Sequence, residues 1–254
     1  MGILDNFKKM DRNSNLYTFL YASGMVILVA ALLAIAATSL KPAQQKNKET
    51  EKKIDILKSF GKAEGADKAA NKHQFVEEAF TKYIAEQIVV NSKGDKVEGL
   101  EAFKVDLKAE LAKPLEQRNL PIFKAQLDDQ SIKYIIPVRG RGLWGPIWGY
   151  IALNDDMNTI FGATFAHQGE TPGLGAEINT VEFQQQFIGK SIFDNNNKFV
   201  SVSVVKGGAD KSNPHAVDAI SGGTITSVGL QEMVYDCLEK YQSFFNKQKN
   251  VGDE

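Results

Sequence analysis

The chain has 254 residues, of which 43% are hydrophobic and 24% charged, and these values are typical of globular proteins rather than of disordered or collagen-like chains. Its 30 basic residues balance 31 acidic ones, and a net charge of −1 removes the main sequence argument for a nucleic-acid-binding protein. A single cysteine, Cys237, excludes an intrachain disulfide and a cysteine-based zinc or iron–sulfur site. The histidines at 73, 167 and 215 show no metal-ligand spacing, so we expect no metal site.

Residues 17–40 form one long apolar stretch, and no charged residue occurs between Arg12 and Lys41. At about 1.5 Å per residue the stretch reaches roughly 36 Å, enough to cross a hydrocarbon core of about 30 Å. Ala34 and Ala36 would suit signal-peptide cleavage, but the apolar core of a signal peptide has only about 7–15 residues. We therefore expect an uncleaved transmembrane helix at 17–40, after a short N-terminal segment at 1–16.

The charges around this helix do not decide its orientation. Lysines and one arginine precede it, five lysines follow it between residues 41 and 53, and the count mildly favours a cytoplasmic C-terminal side. Long domains, however, cross membranes largely regardless of charge. Residues 41–61 are polar and lysine-rich at first, and they predict a helical stalk that ends at Gly61.

The remaining chain, residues 62–254, predicts a globular domain of mixed composition. Apolar residues at helical spacing predict helices at 71–89, 101–111, 180–187 and 228–245, and β-rich runs predict strands at 120–127, 131–138, 148–153, 160–167 and 199–205. The four central runs are separated by short turn clusters, which favours hairpins. We therefore expect an α+β fold, with one N-terminal transmembrane helix followed by a mainly antiparallel sheet flanked by helices.

A glycine-rich segment at residues 140–145 matches the dinucleotide-binding pattern G-x-G-x-x-G. That motif requires a helix directly after the glycines, whereas here Pro146 and a predicted strand follow, so we reject this interpretation. Trp144 lies at the tip of the segment. Such a residue usually packs in a core, but beside exposed backbone amides it is also suited to wall a planar cofactor, and both interpretations remain open.

Two further segments are rich in small residues. Residues 169–175 (GETPGLG) follow a strand and have the composition of a plain turn. Residues 218–226 (DAISGGTIT) precede the last amphipathic helix, where backbone amides suit a phosphate group. By spacing alone, an N-terminal helix cap by Thr224, Thr226 or Ser227 is the better interpretation.

Taken together, the three segments resemble signatures of a family of FMN-binding domains. The motif D-x-x-S-G-G-T at 218–224 resembles the flavinylation motif in which a threonine carries FMN, and GRGLWGPIWGY and ETPGLGAEI resemble the two other signatures. They occur in the family's order behind one N-terminal membrane helix. The whole chain resembles the C-subunit family of the Na⁺-translocating NADH:quinone oxidoreductases. That family usually has alanine where this chain has Gly223, and the smaller glycine should allow the same modification.

The resemblance implies covalent FMN, joined by a phosphoester to Thr224 by a separate flavin transferase that uses FAD and magnesium. Asp218 would assist this transfer. Lys206, just after a strand, would offset the phosphate charge, although a lysine in such a position is more commonly an ordinary exposed side chain. Glu170 matches the family loop without a role that the sequence reveals. The remaining implied cofactor-binding residues keep the approach to Thr224 open or flank the isoalloxazine: Ser221, Gly222 and Gly223 for the first task, and Leu143, Trp144, Thr171, Gly173, Leu174 and Gly175 for the second. No catalytic residue is expected, since no nucleophile–base–acid set is visible.

The resemblance further implies an electron carrier that relays electrons from NADH oxidation towards ubiquinone while the complex exports sodium. Its partners would be the A, B, D, E and F subunits, in a bacterial inner membrane, with the N-terminus cytoplasmic and the flavin domain periplasmic. Two alternatives remain. One is the homologous G subunit of a ferredoxin:NAD⁺ oxidoreductase. The other is a non-redox, membrane-anchored assembly module, in which Thr224 would be only a helix cap.

Overall fold

The computed structural model describes residues 11–12 and 14–251. The chain divides into two compact units, Met1–Glu49 and Thr50–Glu254. Helix α1, Asn15–Lys58, belongs to both units and is, within the described part, the one helix long and apolar enough to cross a membrane. Most of the predicted N-terminal segment at 1–16 lies outside the described residues. The borders proposed for the span at 17–40 and the stalk at 41–61 stay predictions, because α1 runs unbroken through residue 40.

The C-terminal end of α1 has a well-defined stop signal. Gly61 has a φ of +73°, its N–H donates to the Lys58 carbonyl at 3.0 Å, and the Lys62 N–H donates to the Leu57 carbonyl at 2.9 Å. This is the Schellman arrangement, in which a glycine adopts the left-handed conformation that side chains disfavour. Gly61 therefore holds the terminating position expected from the sequence. Ile54 and Leu57, in the last turns before it, are fully buried in the globular unit.

The globular unit is built around a five-stranded antiparallel sheet. Its strands follow the chain order β1-β2-β3-β4-β5: Ile84–Val90, Leu120–Gln126, Ile132–Arg141, Pro146–Asn154 and Ile160–His167. All four neighbouring pairs are antiparallel, which confirms the α+β fold class with its mainly antiparallel sheet. A small two-stranded parallel sheet joins β6 (Ser203–Val205) to β7 (Ala216–Asp218).

Helices cover both faces of the large sheet, because alternate residues of each strand bury opposite faces. Beyond α1, the α-helices are α2 (Lys72–Tyr83), α3 (Leu107–Leu111), α4 (Val181–Gln185), α5 (Thr224–Glu239) and α6 (Gln242–Val251), and short 3₁₀ turns occur at Ala102–Lys104, Leu115–Gln117 and Gly175–Asn179. Residues of α5 and α6, including Leu230 and Phe245, share a core with Ile136 and Ile151 of the sheet. The end of α1 and helix α2 share the other core, which contains Phe123.

The helix predicted at 71–89 is wrong beyond Tyr83, where the chain becomes strand β1. Ile88, Val89 and Val90 are buried and lie opposite β2, so pairing with the sheet overrides the helical spacing of the apolar residues. The helix predicted at 101–111 is also interrupted. A 3₁₀ turn ends at Lys104, and Asp106 then caps α3 by accepting the Lys108 N–H at 2.9 Å.

Two predictions near the C-terminus also need correction. The strand predicted at 199–205 is limited to β6, whose partner β7 was not predicted, because a parallel pairing of two three-residue strands leaves no local pattern. The last helix begins at Thr224 rather than at residue 228. It also breaks after Glu239, and α6 starts at Gln242. The earlier start places Thr224 inside the helix, which matters for the site.

Candidate cofactor site

The first glycine loop, residues 140–145, contains the last two residues of β3 and the turn that leads to β4. In this turn the Gly142 N–H donates to the Gly145 carbonyl at 2.8 Å. Strand β4 begins at Pro146, so no helix follows the glycines and the rejection of a dinucleotide motif is confirmed. Trp144 is 69% exposed and Leu143 45% exposed. Of the two interpretations of Trp144, packing in the core is therefore wrong.

The first glycine of this loop serves the packing of helix α5 against strand β3. A Cβ atom on Gly140 would lie 2.6 Å from Cβ of Met233, and one on Gly229 would lie 2.2 Å from the carbonyl oxygen of Arg141. Both distances are far below van der Waals contact, so side chains are excluded from both positions. The glycines thus bring the start of α5 directly against the backbone at the end of β3.

The second glycine loop, residues 169–175, follows β5 and packs against the segment that contains Thr224. It is a tight turn, in which the Thr171 carbonyl accepts the Leu174 N–H at 3.1 Å and Gly173 has a φ of +74°. A Cβ on Gly222 would lie 2.6 Å from Cδ2 of Leu174, and one on Gly223 would lie 3.3 Å from the Gly175 nitrogen. The second and third segments picked out in the sequence are therefore in direct contact.

Thr224 is the first residue of α5, and the N-cap is Gly223. The expectation of a cap by Thr224, Thr226 or Ser227 is wrong. The hydroxyl of Thr226 donates to Oε2 of Glu170 at 2.5 Å, and that of Ser227 accepts the Ile220 N–H at 3.1 Å. The Thr224 side chain is exposed, and its hydroxyl forms no hydrogen bond within the described residues.

The first turn of α5 presents backbone amides without acceptors. In the described part of the chain, the N–H groups of Thr224, Ile225 and Thr226 find no hydrogen-bond partner, and no side chain caps the helix. No acidic residue lies in this turn. Free amides and the positive end of the helix dipole favour an anion at this position. A capping hydroxyl would accept one of these N–H groups, whereas here the Thr224 hydroxyl accepts none and remains available for chemistry.

Glu170 connects all three segments, although no role for it is apparent in the sequence. Its side chain is only 5% exposed. Its Oε1 accepts the N–H of Trp144 at 2.9 Å, and its Oε2 accepts the hydroxyl of Thr226 at 2.5 Å. Its own N–H donates to Nδ1 of His167 at 3.1 Å, so that nitrogen acts as an acceptor. In the sequence, Glu170 is noticeable only as an acidic residue inside a glycine-rich loop. Its hydrogen-bond partners lie 26 and 56 positions away, so the sequence does not predict them.

Asp218 and Lys206 lie at the same end of the small parallel sheet. Asp218 closes β7 opposite Val205, and exposed Lys206 follows directly after β6, as predicted from the sequence. Oδ1 of Asp218 accepts the Ala209 N–H at 2.6 Å, so this carboxylate orders the loop after Lys206. Within the described residues Lys206 forms no ion pair, and exposed Ser221 forms no hydrogen bond.

The candidate site is an open surface rather than a deep cavity. A cavity of about 320 Å³ exists elsewhere, between the sheet and residues 102–108, and Trp148 and Phe123 are among its lining residues. None of the candidate cofactor-binding residues lines this cavity. Cys237 is also separate from the site, because it is buried behind β3 and burial raises the pKa of its thiol to about 11. It therefore remains protonated at neutral pH.

The three segments lie within one known domain, except for residues 140 and 141. Residues 142–239 match the family described as FMN-binding domain. The chain is 34% identical to the C subunit of the Na⁺-translocating NADH-quinone reductase of Vibrio vulnificus (strain YJ016), over 82% of this chain and 84% of that protein. The same subunit of Neisseria meningitidis serogroup A is 33% identical, over 96% of this chain and 98% of its own length. The chain belongs to the C-subunit family.

The fold agrees with this membership. The crystal structure of the C subunit from Parabacteroides distasonis superposes with a TM-score of 0.71 at 41% identity, covering 81% of this chain and 96% of that one. These relatives confirm the resemblance drawn from the three sequence motifs, and they favour the C subunit over the alternative of a G subunit. The FMN-binding domain likewise favours a flavoprotein over the alternative of a non-redox assembly module.

Proposed function

We propose that the chain is the membrane-anchored flavoprotein subunit of a sodium-pumping NADH:ubiquinone oxidoreductase, and that it carries FMN as a phosphoester on Thr224. The observation that carries the proposal is the exposed Thr224 hydroxyl, which lies on a helix turn with three unpaired amides and next to the second glycine loop. Such a turn suits a phosphate, and FMN has one at the end of its ribityl chain. Membership of the C-subunit family and the FMN-binding domain support the identity of the cofactor.

Attachment requires a hydroxyl that a second protein can reach. The Thr224 oxygen forms a bond to the FMN phosphorus of FAD, the bond to the bridging oxygen breaks, and AMP leaves while the hydroxyl proton passes to a base. A separate flavin transferase with magnesium catalyses this step. Gly222 and Gly223 have no side chains to obstruct the approach, and Asp218, three residues before Ser221, is the acidic position of the motif. The free amides of α5 would hold the phosphate, and Lys206 would offset its charge.

The surface around Thr224 is suited to cover a planar ring. Trp144 and Leu143 on the first loop, and Leu174 on the second, are large apolar side chains that remain between 41% and 69% exposed. Ile225 and Val228, on the first turns of α5, are also exposed. Exposed apolar side chains on neighbouring segments are typical of a binding surface. Thr171, Gly173 and Gly175 complete the second loop, whose backbone can approach the ring closely.

When bound, FMN supplies the one- and two-electron chemistry of the relay, and the protein anchors, orients and shields it. The remaining steps belong to the partners, which we take to be the A, B, D, E and F subunits of the complex. Helix α1 anchors the chain in a bacterial inner membrane, with a cytoplasmic N-terminus and a periplasmic flavin domain. The family resemblance supports this orientation, against the weak count of lysines around the helix.

Intact mass after co-expression with the transferase tests the proposal. Wild type should gain the mass of one FMN less one water, and Thr224→Ala should lose this gain entirely because no oxygen remains to form the ester. Thr224→Ser keeps the oxygen and should be partly modified. Thr226→Ala is the matched control: it removes a threonine hydroxyl two residues away and should keep the added mass. An unmodified wild type, or a modified Thr224→Ala protein, would contradict the proposal.

A further inference from the structure

We propose that Glu170 is the positioning residue of this site, and that its carboxylate fastens the first and second glycine loops to the start of helix α5. It lies in the second loop, binds the backbone of the first through Trp144, and binds α5 through Thr226. The proposal rests on the proposed function only for the identity of the cofactor that the loops hold. The hydrogen bonds that Glu170 makes to Trp144 and Thr226 are present in the protein without cofactor.

The carboxylate is placed where burial makes its hydrogen bonds important. Within the described residues, Glu170 takes part in no ion pair, and its two oxygens accept from a backbone amide and a hydroxyl. A buried carboxylate without a cation is costly unless its oxygens accept hydrogen bonds. Hydrogen bonds to a charged acceptor are also stronger than neutral ones. Each of its two donors therefore stabilises the arrangement of one segment relative to the carboxylate.

Two glycines leave space for this carboxylate. A Cβ on Gly142 would lie 2.5 Å from Oε1 of Glu170, and a Cβ on Gly175 would lie 2.4 Å from Oε2 and equally close to the Thr226 hydroxyl oxygen. Neither glycine has a positive φ, so neither is required for backbone conformation. Ile147 also lies close to the Cβ position of Gly142, and Thr226 to that of Gly175. Gly142 and Gly175 belong to different loops, and the same carboxylate lies against both.

The fastening reaches the proposed attachment residue through direct contacts. The backbone of Gly175 lies against Gly223, which caps the helix that begins at Thr224. At the other end, the Trp144 side chain is 69% exposed, so packing of its ring does not fix the tip of the first loop. The bond from its amide to Glu170 does so instead. Loss of the carboxylate should therefore loosen both loops and leave the sheet intact.

Hydrogen exchange in the full-length protein, without any flavin, tests whether Glu170 holds the two loops in place. In detergent, with Thr224→Ala present to prevent attachment, Glu170→Ala should speed exchange of the Trp144 amide about tenfold, because one hydrogen bond is lost. Residues 169–176 should exchange faster too, whereas β4 and the later turns of α5 should not. Glu170→Gln keeps an oxygen for the Trp144 amide and should restore most of the protection. Glu182→Ala, which removes an exposed carboxylate on α4, is the matched control and should change nothing.

A second variant covers the case in which Glu170→Ala does not fold. Thr226→Val keeps the shape of the side chain but removes the donor to Oε2, and it should speed exchange of the Trp144 amide by a smaller factor, about threefold. Equal exchange in both loops for Glu170→Ala and Glu182→Ala would overturn the proposal. So would unchanged exchange in Thr226→Val.

Flavin-loaded protein gives a separate result. With Thr224 intact and the transferase present, Glu170→Ala should still gain one FMN, because attachment uses Thr224, but iodide should quench its flavin fluorescence more strongly than in wild type or Glu182→Ala. Equal quenching would overturn the role of Glu170 at the flavin. If wild type gains no FMN, the proposed function fails while the exchange comparison still decides the role of Glu170.

Discussion

Trp144 stands on a turn whose backbone is fixed while its ring remains exposed, so its side chain adds little to the stability of the free protein. We predict that Trp144→Ala leaves the free energy of unfolding within about 0.5 kcal/mol of wild type. It should still accept FMN on Thr224, but the absorption spectrum and midpoint potential of the flavin should change, because the site opens to water. Leu100→Ala, which removes an exposed apolar side chain elsewhere, should change neither. An unchanged spectrum and potential in Trp144→Ala would exclude it as a wall of the site.

Gly229 shows how strictly one residue can set the distance between two elements. A methyl group at this position would lie 2.2 Å from the Arg141 carbonyl oxygen, and helix α5 would have to move away from β3. We predict that Gly229→Ala destabilises the fold by about 1–3 kcal/mol, as overpacking commonly does. Gly169→Ala is the control, since nothing lies within 4 Å of its Cβ position. Urea unfolding measures both variants, and equal midpoints would show that α5 can shift without cost.

At the scale of elements, the end of α1 carries a titratable group into the fold. Partial burial, with the nearby negative charge of Glu51, raises the pKa of Asp55 from 3.8 to about 6, against the opposing charge of Lys58. The folded state therefore binds this proton more tightly than the unfolded state. The protonated Asp55 side chain stabilises the fold fully below pH 4, and this stabilisation is lost as the pH rises towards 6. Asp55→Asn should match the protonated form. Its stability advantage over wild type should grow between pH 4 and pH 6 to about 1–3 kcal/mol and then level off.

Thermal unfolding across this pH range measures the effect. Glu64→Gln removes an exposed carboxyl near the same helix end and serves as the control, for which no such growth is expected. A difference between Asp55→Asn and wild type that is the same at pH 4 and pH 7 would contradict the assignment.

The elements that sequence predicts well are those with local signals at both ends. Strands β2 to β5 are short apolar runs bounded by turn residues such as Asp129 and Asn154, and each matches a predicted run within a few residues. Strand β1 has the apolar spacing of a helix, and only its pairing with β2, whose partner residues are at least 30 positions away, makes it a strand. Strands β6 and β7 depend wholly on each other.

In the candidate site too, some residues can be predicted from local motifs and others only from the fold. The glycine segments and Thr224 carry motifs that a resemblance detects one at a time. The hydrogen bond from Thr226 to Glu170 joins residues 56 positions apart, and that from Trp144 joins residues 26 positions apart. Neither pairing leaves a pattern in the sequence, so the residue that connects the three motifs can be found only in the fold.

At the scale of the whole molecule, α1 is continuous through Ala34 and Ala36, which are exposed and helical. We predict that the mature protein keeps this apolar stretch and resists extraction with alkaline carbonate, since the stretch is long enough to span a bilayer. N-terminal sequencing after membrane purification is the direct measurement. A mature chain that begins near residue 37 would mean that the apolar stretch is a signal peptide.

The last turns of α1 belong to the fold of the globular unit, so the choice of starting residue should decide whether that unit is stable. Ile54, Ile56 and Leu57 are at most 1% exposed. Burial of each such side chain contributes about 1.5–3 kcal/mol. Removing all three should therefore cancel most of a domain's free energy of unfolding, which is roughly 5–15 kcal/mol. A fragment that begins at residue 50 should therefore be soluble and unfold cooperatively, whereas one that begins at residue 62 should be largely unfolded. Circular dichroism on heating compares them directly, and equal melting temperatures would show that the helix end is dispensable.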